Sequence, residues 1–321
     1  MTSKCSKHDT SGFKDNFNLR AGLLLISEAG VLSFILASSL LVHSLRQVYK
    51  NYRGRNSTSG PSTEPWLQPI SILFLCAIFL DVIYAVSNIL SIRWALSGEV
   101  IEGSYCTTQA VLKQIGGNGV AWFTMAIAIL TYLQVVHWSW FGESGAKVFA
   151  AGSICFIIIF IIMIILVPAS TVHPYYGKSG LWCWIGVGKG TSRQRLRYAT
   201  QYAWEWLAVL VSIVSYGAVA YKWLRQASSG ADYDLKRVAI AMGWYPIAYC
   251  VVIAPISVVR FRQFNGYHPT AAEQIFPAAL LASWGAINAI LWFLTGRRFG
   301  FSSKKKDDYP SVPFPGSQLV L

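Results

Sequence analysis

The chain has 321 residues, 54% of them apolar and only 13% charged, with a mean hydropathy of +0.43. An ordinary soluble domain carries about 25% charged residues, so this composition argues against a soluble enzyme and for a membrane protein. The net charge of +13 lies in short segments between apolar runs, which fits membrane topology better than nucleic-acid binding.

Residues 1–20 carry Lys4, Lys7, Lys14 and Arg20 but no apolar core of a signal peptide, so the first span is expected to act as an uncleaved anchor. Apolar segments then run over residues 21–45, 67–92, 107–136, 148–168, 199–221, 238–259 and 274–295. Crossing a bilayer takes about 20 apolar residues. In lipid the backbone must satisfy its own polar groups, so these spans are read as helices; a barrel would show alternating runs of about ten residues. The predicted fold is therefore all-α, a seven-transmembrane helix bundle occupying residues 21–295. Residues 46–66 and 169–198 read as connectors, and the tail 296–321 reads as a short polar segment without a prenylation box.

Charges at membrane depth cost about 2.5–3.5 kcal/mol and are functional candidates by default. The spans hold Glu28, Asp81, Lys113 and Glu205. Glu28, Lys113 and Glu205 lie toward the outer ends of their spans, where they either border an outward-facing cavity or snorkel to the interface. Asp81 is central in span two, and with Asn88 two turns along the same face it is assigned to an intramembrane polar network. In span three, Gly116, Gly117 and Gly119 surround Asn118. The pair Gly117 and Ala121 has the small-xxx-small spacing that lets a neighbouring helix approach, and a ligand against bare backbone is the alternative. Pro246 removes a backbone hydrogen bond in span six and is read as a hinge. In the long outer loop Lys178, Lys189, Arg193, Arg195 and Arg197 accompany Trp182 and Trp184, a rim suited either to an anionic solute or to lipid headgroups. The five histidines cannot meet around one zinc, and the six cysteines include no CxxC pair. Hence no catalytic residue, metal or cofactor is predicted.

The basic residues divide 14 to 12 between the two faces, which hardly sets the orientation. Cys106, at the start of span three, and Cys183, between spans four and five, fall on the N-terminal side of the membrane. The string Gly180-Leu181-Trp182-Cys183-Trp184-Ile185-Gly186-Val187, the Tyr105-Cys106 pair and the end of span seven, Trp292 to Gly300 (WFLTGRRFG), resemble the cyclic-AMP receptor family of slime moulds. They also resemble the related fungal G-protein-coupled receptors, some of which sense glucose. The resemblance spans residues 20 to 300 and is most specific in WCWIGV.

The resemblance, with the shared face, implies a Cys106–Cys183 disulfide; Cys76, Cys155 and Cys250, inside spans, are expected to be free. A disulfide needs an oxidising compartment, so the N-terminus is placed outside and the C-terminus in the cytoplasm. The sequon Asn56-Ser57-Thr58 then lies inside, and is discounted. Span three lacks an Asp-Arg-Tyr triplet and span seven lacks an Asn-Pro pair, which disfavours the rhodopsin-like receptor class. Span seven contains no lysine, which excludes a retinal Schiff base.

The resemblance thus implies a plasma-membrane receptor that senses an extracellular small solute and activates a heterotrimeric G protein, with no nucleic-acid partner and a homodimer left open. Ligand contacts are assigned to Trp184, Lys113, Glu205 and Arg260. Lys236, Arg237, Arg297 and Arg298 form the G-protein-facing rim. The alternative is a small-solute transporter, for which the expected internal repeat is not apparent.

Overall fold

The computed structural model describes residues 13–55, 69–186, 191–226, 233–267 and 269–295. The chain forms helices α1 (Phe17–Arg55), α2 (Pro69–Ile89), α3 (Ile92–Ser97), α4 (Ser104–Val136) and α5 (Trp138–Thr171), then strands β1 (Tyr176–Lys178) and β2 (Cys183–Ile185). Helix α6 (Thr191–Arg197) passes through a π-helical turn, Tyr198–Tyr202, into α7 (Ala203–Gln226). Helices α8 (Tyr233–Phe264), α9 (Ala271–Ala282) and α10 (Trp284–Thr295) complete the chain. Five of the rods carry apolar stretches long enough to cross a membrane, and the pair α9 and α10, bent by 43°, makes a sixth. With the 32-residue α8 the bundle has its seven spans, in a multi-pass membrane protein.

The helices overrun the predicted segments because apolar runs record only the lipid-immersed part, whereas a helix continues wherever its backbone stays paired. Thus α1 extends ten residues past the predicted end at 45, carrying Arg46, Lys50 and Arg53 on the helix. Span five begins at Thr191, so Arg193, Arg195 and Arg197 belong to a helix rather than a loop. Span six runs to Phe264 and takes Arg260 with it; it passes helically through Pro246, whose side chain lies outside the described residues, and through Pro255, a second interruption absent from the sequence reading. Span two ends at Ile89, and the separate turn α3 seats Trp94, fully buried, against the bundle.

Helix α4 is the central rod, in contact with α2, α5, α7 and both strands. A side chain at Gly116 would come within 2.8 Å of the Tyr84 backbone in α2, and Gly119 lies against Leu80. The close approach expected at Gly117 is therefore made one residue earlier; Gly117 itself faces Gln201 and Glu205 of span five. Peripheral α5 has only 22% of its most apolar window buried. Its Ile157 and Ile161 point into the bundle while Ile158, Ile159 and Ile162 face outward, as expected where lipid is as apolar as the core.

Span seven breaks at Ser283, and a serine of α1 repairs it. The Ser33 hydroxyl donates to the Ala282 carbonyl at 2.6 Å and accepts from the Ala286 N–H at 3.3 Å, the two groups an unbroken helix would pair directly. Next to this joint Gly285 lies close to both Ser33 and Asp81, and Asn288 donates to Asp81 Oδ2 at 2.8 Å. Spans one, two and seven are thereby tied at one level. Ser33→Ala strands two buried backbone groups, at about 1–3 kcal/mol for an unsatisfied group, and should lower the thermal unfolding midpoint of the detergent-solubilised protein. Ser44→Ala, which removes a buried hydroxyl that has no partner, should leave the midpoint unchanged or raise it.

Candidate functional site

The outer end of the bundle is closed by a hairpin where the sequence reading expects only loop. Its strands pair antiparallel with Tyr176 opposite Ile185 and Lys178 opposite Cys183, turning through Gly180 at φ 82°, a conformation that favours glycine. Successive residues of a strand point to opposite faces. Nevertheless Cys183, Trp184 and Ile185 are all buried, as are Leu181 and Trp182, so the WCWI segment is inserted into the bundle rather than laid over it.

Three sets of contacts hold it there. The Cys106–Cys183 disulfide joins β2 to the first turn of α4, as expected, and Cys76, Cys155 and Cys250 are free. Gln109, one turn deeper and fully buried, accepts from the Cys183 N–H at 3.0 Å and the Trp94 indole at 2.7 Å. Its amide nitrogen donates to the Ser87 carbonyl and the Ser91 hydroxyl at 3.1 and 2.9 Å. Finally, Tyr176 donates to Gln114 at 2.6 Å, and Arg197, turned inward, donates to the Ile185 carbonyl at 2.6 Å and to Ser179.

Beneath the hairpin lie the residues proposed from sequence as ligand contacts. Trp184 donates its indole N–H to Gln201 at 2.6 Å, and Gln201 donates in turn to Glu205 at 2.9 Å. Because span five starts at Thr191, Glu205 is buried about four turns along the rod and not near its outer end. Lys113 donates to Asn88, and its ammonium lies 5.2 Å from the Tyr84 ring centre and 5.6 Å from that of Trp182. The Arg260 guanidinium is 4.7 Å from the same Trp182 ring. Gly117 of α4 lies against Gln201, Glu205 and the Tyr84 ring together, so the Trp184 and Lys113 contacts belong to one cluster.

Other expectations are redistributed. Asp81 and Asn88 enter two separate contacts, Asp81 with Asn288 of span seven and Asn88 with Lys113 of span three. A two-turn offset that shares a helix face in sequence meets different neighbours in a bundle. Glu28 is exposed on α1. Of the basic rim, Lys178 and Arg195 are exposed and Arg197 is engaged by the hairpin; Lys189 lies outside the described residues, as does the side chain of Arg193. Arg297 and Arg298 also lie outside them, as do the side chains of Lys236 and Arg237, which the backbone places at the start of α8. A depression of about 650 Å³, lined by Phe13, Asp15, Phe17 and Lys178 among others, lies at the outer surface and includes none of the four proposed ligand contacts.

Sequence reasoning misses Gln109, Gln114 and Gln201, which carry no charge and so fall outside the intramembrane candidates. It also misses Lys222, whose ammonium donates to the Val135 and Val136 carbonyls at 2.7 and 3.2 Å and ties α7 to the last turn of α4.

No protein-family model and no curated protein matches the chain. Among solved structures the chain is similar to squid rhodopsin, at 13% identity and a TM-score of 0.66, covering 88% of this chain and 83% of that one. The chain therefore has a rhodopsin-like seven-helix fold. The missing Asp-Arg-Tyr and Asn-Pro motifs, which point away from that class, do not govern the fold: apolar rods and their packing do. The likeness to slime-mould and fungal receptors draws no separate support from this comparison.

Gln109→Leu deletes four bonds while keeping the bulk. It should lower the unfolding midpoint and let graded reductant open Cys106–Cys183 at lower concentration than in the parent, read by alkylation and peptide mapping.

Proposed function

We propose that the protein is a G-protein-coupled receptor that senses an extracellular small solute, a nutrient or nucleotide-like molecule, and activates a heterotrimeric G protein at the plasma membrane. The observation that carries this reading is the rhodopsin-like bundle whose outer end is sealed by a disulfide-anchored hairpin over a buried polar cluster. Such a cluster offers solute recognition from outside without a water-filled path across the membrane. The slime-mould and fungal receptors that the WCWIGV string resembles are the family proposed.

In this reading Trp184 supplies apolar or stacking contact, and Lys113, Glu205 and Arg260 supply polar anchors. Solute binding shifts the bundle toward a state in which the inner half of span six swings about Pro246, and the cleft takes a G-protein helix against Lys236, Arg237, Arg297 and Arg298. Binding at the two ends is then reciprocally coupled. The Lys222 contact with the end of α4 belongs to the resting arrangement. The transporter alternative predicts corresponding breaks in the two halves. The break at Ser283 in span seven has no counterpart in span three, where α4 is continuous from Ser104 to Val136.

Reconstituted with a heterotrimeric G protein and screened against nutrients and nucleotides, the receptor should speed nucleotide exchange with an active solute and give no counterflow of that solute in liposomes. Alanine at Trp184, Lys113, Glu205 or Arg260 should each weaken the response about tenfold, equivalent to about 1.4 kcal/mol of binding, at unchanged surface expression. Counterflow without exchange would overturn the proposal.

A further inference from the structure

Buried cations in proteins are paired with carboxylates or fully hydrogen-bonded, because desolvation costs several kcal/mol per ion. The cluster beneath the hairpin breaks this pattern. Lys113 is 8% exposed and Arg260 4% exposed, and among the described residues neither forms an ion pair. Of the three donors of the Lys113 ammonium, one is directed at Asn88, and the ammonium lies over the faces of Tyr84 and Trp182. Arg260, beneath the hairpin turn at Gly180, directs one donor to Gln263 at 2.8 Å and leaves most of its fork to the Trp182 ring. The two buried carboxylates, Glu205 and Asp81, accept instead from the neutral amides of Gln201 and Asn288. Arg197 shows the contrasting case, a buried guanidinium engaged by backbone and hydroxyl oxygens. Two like charges facing one indole repel each other in a low-dielectric setting.

We infer that the Lys113–Trp182–Arg260 cluster is an oxyanion-binding subsite, and that the sensed solute carries a carboxylate or phosphate group held between the two cations. This rests on the receptor reading and deepens it by naming the ligand's chemical class. An ammonium supplies a point charge and a guanidinium supplies a planar fork, a pairing that suits a planar or tetrahedral oxyanion. Water exclusion by the inserted hairpin strengthens both contacts. Trp182, rather than Trp184, is then the aromatic element of the subsite, since it touches both cations while the Trp184 indole is tied to Gln201. The subsite lies at the hairpin end of the bundle, so the oxyanion is a soluble one reaching it from that side.

The test is thermal unfolding of the full chain in phosphatidylcholine nanodiscs with inorganic phosphate or citrate added, against sodium chloride at matched ionic strength and against glucose. The oxyanions should raise the midpoint in a concentration-dependent manner, while chloride and glucose do not. Lys113→Gln and Arg260→Gln should each lose at least half of that shift, and Lys113→Arg should keep it. Lys113→Gln, which can still donate to Asn88, should also raise the ligand-free midpoint by relieving repulsion; a purely structural lysine would lower it. No oxyanion shift, or a shift equal in the glutamine variants, overturns the inference. So does a shift that appears only when phosphatidylserine replaces part of the lipid, which assigns the subsite to a headgroup. If a neutral solute drives nucleotide exchange and loses its effect in Trp184→Ala, the receptor reading stands and the oxyanion subsite falls.

Discussion

Gln109 holds the outer half of the molecule together. A glutamine amide has two donors and one carbonyl oxygen with two acceptor positions, and all four are used, by Trp94, Cys183, Ser87 and Ser91. Those partners lie on α3, β2, the end of α2 and the turn between α2 and α3, so one fully buried side chain fixes where three elements meet the central helix. The disulfide one turn away closes the chain onto the same place but fixes no orientation. The directional bonds of Gln109 seat β2 inside the bundle, and from that depth Trp182 and Trp184 reach Lys113, Arg260 and Gln201.

The same logic recurs at the other joints. The hydrophobic effect supplies no force between helices in lipid, so helix contacts rest on close packing and on hydrogen bonds. Gly116 and Gly119 provide the first between spans two and three. Ser33, Asn288 with Asp81, and Lys222 provide the second between spans one and seven, two and seven, and three and five. Uncharged or singly charged side chains at helix crossings thus carry the architecture, while the most apolar rod, α5, has most of its surface facing outward.

The bundle is closed at one end by the disulfide-anchored hairpin, and the polar joints between its helices are localised. The broken seventh span and the two prolines of span six interrupt the backbone ladder, as do Gly142 and Pro168 in α5 and the π-helical turn at Tyr198–Tyr202. At the end away from the hairpin, Lys222 holds the last turn of α4 through the Val135 and Val136 carbonyls.

The number of spans, their order and the membrane setting were legible in the sequence, because about 20 uncharged apolar residues have one stable conformation in lipid whatever surrounds them. The Cys106–Cys183 pair was legible through the resemblance carried by the WCWIGV string. Helix ends were not, since a helix leaving the membrane continues through Lys and Arg, as at Arg46–Arg55 and Thr191–Arg197, without any hydropathy signal. Nor was the rotation of each rod about its axis: apolar residues face core and lipid alike, so periodicity cannot separate Ile157 from Ile158. Only the tertiary structure decided that Asp81 and Asn88 have different partners, that Glu205 lies deep, that Gln109 is a hub and that Lys113 and Arg260 share one indole. Each of these depends on which residues of different helices come within hydrogen-bonding distance, and that is set by packing rather than by spacing along the chain.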